Sequence, residues 1–567
     1  MFDVAIVGGD VVDGTGAPRY RADVGIKNGR ILTIGTLSEG ARLQVDARGK
    51  VVAPGFIDVH THFDAQVVWD PYLTPSPLHG VTTAVAGNCG FTLAPMEDHA
   101  ETYLTEMLAR VEGIPLSTLR AGVDITWRTF EEYLARIDGN VAINVGFLVG
   151  HSTVRRVVMG DDFRRTANDE EIAHMERLVD ESLAAGALGF SSSLSDTHND
   201  GNNEPIPSRY ATDDEILRLC ATLRPHSGTW LEFLPWATGP FPDERAMLMA
   251  QMSATASRPL NWNLLVVRSD LSDIAENRLA ASDVAAAHGG LVQALTLPMP
   301  MTMWINLDSA VLFDALPAWA DVLGHERADR VRLLADPSVR RQLVDATRDC
   351  GRIWYDVERL RFDHVDTPAF ADVVGRTVAD AARLRGVDAF DLLFDVALAD
   401  DLHTTFVVPA QGDDADSWRL RVDAWHDPRT LIGGSDAGAH LDMLDGFAFF
   451  TDFIGPTVRD RQLLPLETAV RMVTDDVARA FGLTARGRLD VGYAADIVVF
   501  DEAEVAACPV EVRGDLPGDG HRLYSAAKGI DVVLVNGEVI VEQGEFTGAR
   551  PGTVLRSGRD TATVPVG

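Results

Sequence analysis

Two histidines one residue apart, at the end of an apolar run, constrain this chain more than any other feature. The run Val51 to Ile57 reads as a buried strand, and Gly55-Phe-Ile-Asp-Val-His60-Thr-His62 closes it. Alternate residues of a strand face the same side, so both imidazoles can reach one ion. That strand opens a recurring strand–helix pattern. Strand candidates are 51–57, 80–87, 141–149, 187–192, 229–234, 259–265, 290–297 and 430–434, and helical segments such as 169–185 and 213–223 separate the first seven. Eight strands complete a (β/α)8 barrel, so the expected class is α/β with a TIM-type barrel.

The two chain ends have a different character. Residues 1–50 alternate apolar and polar between turn signals, Gly8-Gly9, Asp13-Gly14 and Asn28-Gly29. The opening Val-Ala-Ile-Val-Gly-Gly lacks the glycine spacing and crossover helix of a dinucleotide site. Residues 485–567 read the same way, with Ala495-Asp-Ile-Val-Val-Phe500 and Val532-Val-Leu-Val-Asn-Gly537. The expectation is one small β-sandwich built from both ends, 1–50 and 485–567, beside a barrel spanning 51–484. The interval 298–428 is too long for a loop and holds helical stretches such as 308–323 and 369–385. It reads as a helical insertion before the last barrel strand, a lid or substrate wall over the barrel mouth.

Composition bounds the partners. A formal charge of −34 over 567 residues argues against nucleic acid or an anionic membrane as a partner. The four cysteines, Cys89, Cys220, Cys350 and Cys508, lie too far apart in sequence to read as a disulfide framework. The N-terminus has no basic region and carries an acid at its third residue, which is unlike a secretory leader. No apolar run reaches membrane-spanning length. These features point to a soluble cytoplasmic protein with a small-molecule substrate, and they allow a homo-oligomer. Three lysines occur, Lys27, Lys50 and Lys528, with none between 51 and 527.

In such a barrel, chemistry sits at the C-terminal ends of the strands. Taken in order, those ends offer His60 and His62, Cys89, His151, the run Ser191 to Ser193, Glu232, Asn263 and Asp436. Three metal-type residues at strand ends, His60, His62 and Asp436, make the plain alternative of hydrogen-bonded core residues the weaker one. Asp436, on the turn Gly433-Gly-Ser-Asp436, suits both metal binding and acceptance of the attacking water's proton. His151 and Arg155 are expected to organise hydrogen bonds beneath the site. His151, Asn263, Trp236 and His440 are the expected substrate contacts. Trp230, Phe233, Trp236 and Trp262 lie near strand ends and read either as packing or as an apolar pocket.

The stretch Gly80-Val-Thr-Thr-Ala-Val-Ala-Gly-Asn-Cys-Gly90 resembles the D-aminoacylase, or N-acyl-D-amino-acid deacylase, branch of the amidohydrolase superfamily. Gly150-His-Ser-Thr-Val-Arg155, Gly434-Ser-Asp436, the segment from Arg486 to Asp501 and Thr547-Gly-Ala-Arg-Pro-Gly552 extend the resemblance. It implies that Cys89 is a zinc ligand, in place of the carboxylated lysine that bridges metals in many relatives. The lysine-free barrel agrees with that substitution. The family also carries histidines at the ends of strands five and six, in Thr-His-Met-Arg-like and His-His-Lys-like motifs. Here those places read Thr229-Trp-Leu-Glu-Phe-Leu-Pro235 and Pro259-Leu-Asn-Trp-Asn-Leu-Leu265. Glu232 is the best substitute ligand and Asn263 a poorer one. The plain alternative for Glu232 is a salt-bridged acid at the barrel mouth.

The expected function is therefore hydrolysis of a linear amide C–N bond, an N-acyl amide with apolar groups, with one or two zinc ions held by His60, His62, Cys89, Glu232 and Asp436. Alternatives are an N-acyl-D-amino-acid deacylase proper, a mononuclear deaminase-type enzyme, and a metal-free barrel serving as a binding or scaffold subunit. The missing strand-six lysine removes one countercharge for a substrate carboxylate, which favours a neutral substrate.

Overall fold

The computed structural model describes residues 1–308, 317–349 and 356–566, so Cys350 and part of the expected helix 308–323 lie outside the described residues. The chain forms two compact units. The first comprises Met1–Met299, Asp414–Ala439 and Gly446–Gly567; the second comprises Pro300–Asp413 and His440–Asp445.

Eight parallel strands make the barrel of the first unit: Phe56–Asp58, Val81–Ala86, Asn144–Phe147 continued by Val149–Gly150, Gly189–Ser193, Trp230–Leu234, Leu260–Leu265, Val292–Thr296 and Thr430–Ile432. Each pairs in parallel with its neighbour in sequence, apart from the 144–150 strand, which carries the pairing across Leu148. The ring closes between first and last strands. Thr61 bridges Ala437, the His62 amide donates to the Ala437 carbonyl at 2.8 Å, and the Asp436 amide to that of His60 at 3.1 Å.

Local chemistry sets the helices between the strands. Asn168 caps Asp169–Ala185 in a reciprocal box with Glu171, and Thr212 caps Asp213–Ala221. Strand alternation then decides which side chains face inward. Trp230 joins Ile57, Val59, Val85, Leu148, Leu188 and Leu295 in one apolar cluster deeper in the barrel. Two residues on, the same face of that strand presents Glu232, paired in register with Ser191 and Asn261.

The expected strand 51–57 is in fact two. Val51–Pro54 leaves the barrel and pairs with Ile497–Phe500 in the terminal sheet, and only Phe56–Asp58 enters the barrel. Gly55 makes the break: a Cβ there would lie 2.2 Å from the Thr82 side chain, so the chain can turn between the sheets only without one. Hydrogen bonds join both chain ends in a nine-stranded sheet over a core of Val4, Ile6, Val24, Val52, Ile497 and Leu534.

The second unit is not purely helical. It holds an antiparallel sheet of Met303–Ile305, Thr405–Val408 and Arg361–His364, with helices such as Val378–Arg385 and Ala389–Ala399. The expected helix 369–385 is interrupted: a 3-10 turn, Pro368–Val373, precedes Val378–Arg385. The helix Ala415–Trp425, placed in the insertion from sequence, belongs to the first unit. No helix among the described residues is long and apolar enough to cross a membrane.

Candidate metal centre

His60 and His62 project from the end of the first strand onto one side, as their spacing dictates. Both are buried, at 0% and 2% exposure. Cys89 follows the second strand in the turn Asn88–Gly90 and adopts a left-handed backbone, φ 55°. Side chains hold that turn in place. Asn88 donates to the Thr61 and Val85 carbonyls, Ser191 Oγ accepts from the Gly90 amide at 3.0 Å, and Glu232 Oε2 accepts from the Cys89 amide at 2.7 Å. Asp436 is also left-handed, φ 61°. Non-glycine residues seldom adopt this conformation unless the surroundings impose it, and functional sites are where it recurs. Ser435 Oγ donates to Asp58 at 2.6 Å and pins the Asp436 turn to the first strand. Gly434 beside it, φ 80°, has no room for a Cβ, which would meet Asn263 Oδ1 at 2.7 Å.

The side chains converge. Donor atoms of His60, His62 and Cys89 all lie within 4.8 Å of one another. Asp436 Oδ1 is 3.1 Å from His62 Nε2 and 3.6 Å from His60 Nε2, and Cys89 Sγ is 3.6 Å from His60 Nε2. Asn263 joins them, its amide nitrogen 3.2 Å from His60 Nε2. Glu232 stands elsewhere. It is fully buried, with Oε1 3.9 Å from His60 Nδ1, the ring nitrogen other than the one Asp436 approaches.

The donor set suits a borderline-soft divalent ion such as zinc: two imidazoles, a thiol and a carboxylate. Its surroundings fit positive charge. Burial raises the Glu232 carboxyl to about 8, and that of Asp58 to about 7. Burial also pushes the Cys89 thiol well up, with Glu232 next in effect. Burial opposes protonation of His62, yet Glu112, Asp436 and Asp64 together raise it. Buried atoms left without a hydrogen-bond partner include His60 Nδ1, His62 Nδ1, Glu232 Oε1 and Asn263 Oδ1. A cation amid these groups lowers the cost of ionising the acids and the thiol together.

The other expected contacts divide. His151 is fully buried, its Nδ1 2.8 Å from Ser192 Oγ and its Nε2 3.0 Å from Glu215 Oε1, so both ring nitrogens are occupied by protein. Trp236 is half-buried, and His440 lies in the second unit. The aromatic residues give little support to an apolar pocket. Trp230 packs on Phe481 in the barrel core, Trp262 packs edge-on against Phe241, and Phe233 is fully buried. Two acids that sequence reading passed over border the site. Asp64, two residues beyond His62 in the turn that follows the strand, accepts from the Gly87 amide at 3.0 Å. Glu112, at the end of a helix far along the chain, carries no sequence signal and lies 3.3 Å from His62 Nδ1.

Residues 44–541 match the sequence profile of the amidohydrolase family, and the chain belongs to that family. Members are hydrolases acting on carbon–nitrogen bonds other than peptide bonds, and this chain is such a hydrolase. It is 32% identical to a D-aminoacylase of Alcaligenes xylosoxydans xylosoxydans, with 98% of this chain and 97% of that protein covered. Among solved structures it is similar to a D-aminoacylase with a binuclear metal center, at 29% identity and TM-score 0.66 over 98% of this chain and all of that one. It is equally similar to an N-acyl-D-glutamate deacylase from Bordetella bronchiseptica bound to zinc and a phosphonate inhibitor, at 27% identity and TM-score 0.66 over the same shares.

Proposed function

We propose that the protein hydrolyses the amide bond of an N-acylated amino compound at a centre for one divalent ion held by His60, His62, Asp436 and Cys89. The observation that carries this reading is the convergence of those four side chains at the C-terminal ends of the barrel strands. An ion there would supply Lewis acidity and make bound water acidic near neutral pH.

The chain's own groups do the rest. Asp436 is the one of the four with substantial access, its side chain 21% exposed. It accepts a proton as water adds to the acyl carbon, then passes that proton to the amine as the C–N bond breaks. The products are a carboxylic acid and a free amine. Asn263 holds its amide beside His60, and the Gly434 turn packs against it.

One ion, not two, follows from what replaces the family's further histidines. Glu232 gives one oxygen to the Cys89 amide and turns the other toward the far nitrogen of His60, and Asn263 is a weak ligand. Elemental analysis of protein expressed with added zinc is expected to give close to one equivalent, and chelation should abolish amide hydrolysis. Two equivalents would return Glu232 and Asn263 to the ligand set. Far less than one, with activity unchanged by chelation, would overturn the proposed metal centre.

The preferred substrate is neutral around the scissile amide. The strand-six stretch Asn263-Leu-Leu-Val-Val-Arg268 holds no lysine, and its one cation, Arg268, is bound to Asp270 at 2.9 Å. A carboxylate buried without countercharge costs several kcal/mol, and each ~1.4 kcal/mol is tenfold in affinity. Neutral N-acyl amino-acid amides should therefore exceed their free acids in kcat/KM by about 10²-fold. A clear preference for the free acids would instead make the protein a deacylase of N-acyl amino acids, like its named relatives.

A further inference from the structure

We propose that Glu112 is a positioning residue for His62, its carboxylate accepting the Nδ1 proton and so turning Nε2, unprotonated, toward the bound ion. The inference rests on the metal centre proposed above and adds to it a residue that sits on a helix, not on a barrel strand.

Glu112 is the last residue of the helix Asp98–Glu112, which ends at Gly113 with φ 60°. Nothing in that local setting favours an acid. The C-terminal end of a helix carries partial negative charge, so a carboxylate is poorly placed there. Burial adds to the cost: the side chain is 3% exposed, so its charge is taken out of water. Its one ion-pair partner among the described residues is His62.

The geometry gives the reason for keeping it. The His62 ring lies between two carboxylates, Glu112 Oε1 at 3.3 Å from Nδ1 and Asp436 Oδ1 at 3.1 Å from Nε2. Nδ1 is buried and has no hydrogen-bond partner of its own, and Glu112 Oε1, 3.3 Å away, is the carboxylate within reach of it. An imidazole that donates from one nitrogen to a carboxylate has its tautomer and orientation set, and its other nitrogen becomes the better donor to metal. Glu232 stands in a looser version of the same relation to His60, at 3.9 Å. Helix and barrel are thus joined at one ligand.

The test is zinc affinity, read on the full-length protein by competition with a chromophoric chelator, for wild type, Glu112→Gln, Glu112→Asp and His62→Ala. Glu112→Gln keeps the size of the side chain and loses its charge, and should bind zinc about 10- to 100-fold more weakly. Glu112→Asp draws the carboxylate back by one methylene and should fall between that variant and wild type. A merely structural acid would lower the melting temperature of both variants in chelator and leave zinc affinity alone. Wild-type affinity in Glu112→Gln, with binding lost in His62→Ala, overturns the proposal and leaves the metal centre standing. Wild-type affinity in His62→Ala overturns the metal centre itself. Should Glu112→Gln fail to fold, Glu112→Asp decides on the same scale: several-fold weaker binding supports the proposal and unchanged binding overturns it.

Discussion

Asp436→Asn is expected to lose turnover by about 10²- to 10⁴-fold while keeping the parent's fold and melting behaviour. An amide cannot take up the proton of the attacking water, so the step that Asp436 serves has no acceptor. The fold does not depend on the charge. Asp436 is tied to the first strand through its backbone, whose amide donates to the His60 carbonyl at 3.1 Å, and through Ser435. The comparison belongs in excess zinc, because the substitution also removes a charged donor and weakens metal binding. Single-turnover kinetics and thermal unfolding on the same samples check both halves. A variant that retains most of the activity would remove Asp436 from the proton path.

The second large effect concerns stability and lies beneath the Cys89 turn. Arg155 and Glu215 are both fully buried and form an ion pair, and His151 Nε2 meets the same carboxylate at 3.0 Å. On its other side His151 reaches Ser192, whose neighbour Ser191 holds the Gly90 amide. Glu215→Ala would strand a buried guanidinium and an imidazole, a change that costs about 3–5 kcal/mol. A fall of several degrees in melting temperature is expected, along with weaker cohesion of the Cys89 turn. An unchanged melting temperature would mean that water or another acid compensates Arg155. The pH dependence has a definite sign. Burial would raise the Glu215 carboxyl, but hydrogen bonds and charge from His151 and Arg155 hold it below its ordinary value. Its contribution is therefore present above the normal carboxylate pKa and is lost as pH falls through the lowered one.

Much of the barrel was legible because its signals are local. Apolar runs separated by capped helices specify strand and helix in turn, and Asp169–Ala185 occurs where its cap and periodicity place it. His60 and His62 share a face by the two-residue period of a strand, and Gly433-Gly-Ser-Asp436 reads as a turn, whereas the left-handed backbone at Cys89 and Asp436 emerges from the structure. Contacts between distant segments left weaker marks. The break at Gly55 comes from Thr82, twenty-seven positions on, and from a partner strand near residue 500. Trp230, Phe233 and Trp262 were ambiguous in sequence because an aromatic near a strand end looks the same whether it meets substrate or a packed helix. The sequence alone determined that His60, His62, Cys89 and Asp436 stand at strand ends of one barrel. Only the tertiary structure decided which nitrogen of His60 faces Glu232, and that Glu112 reaches His62. Those relations depend on how a helix and a neighbouring strand pack across the barrel, and residue period within a single element carries no information about that.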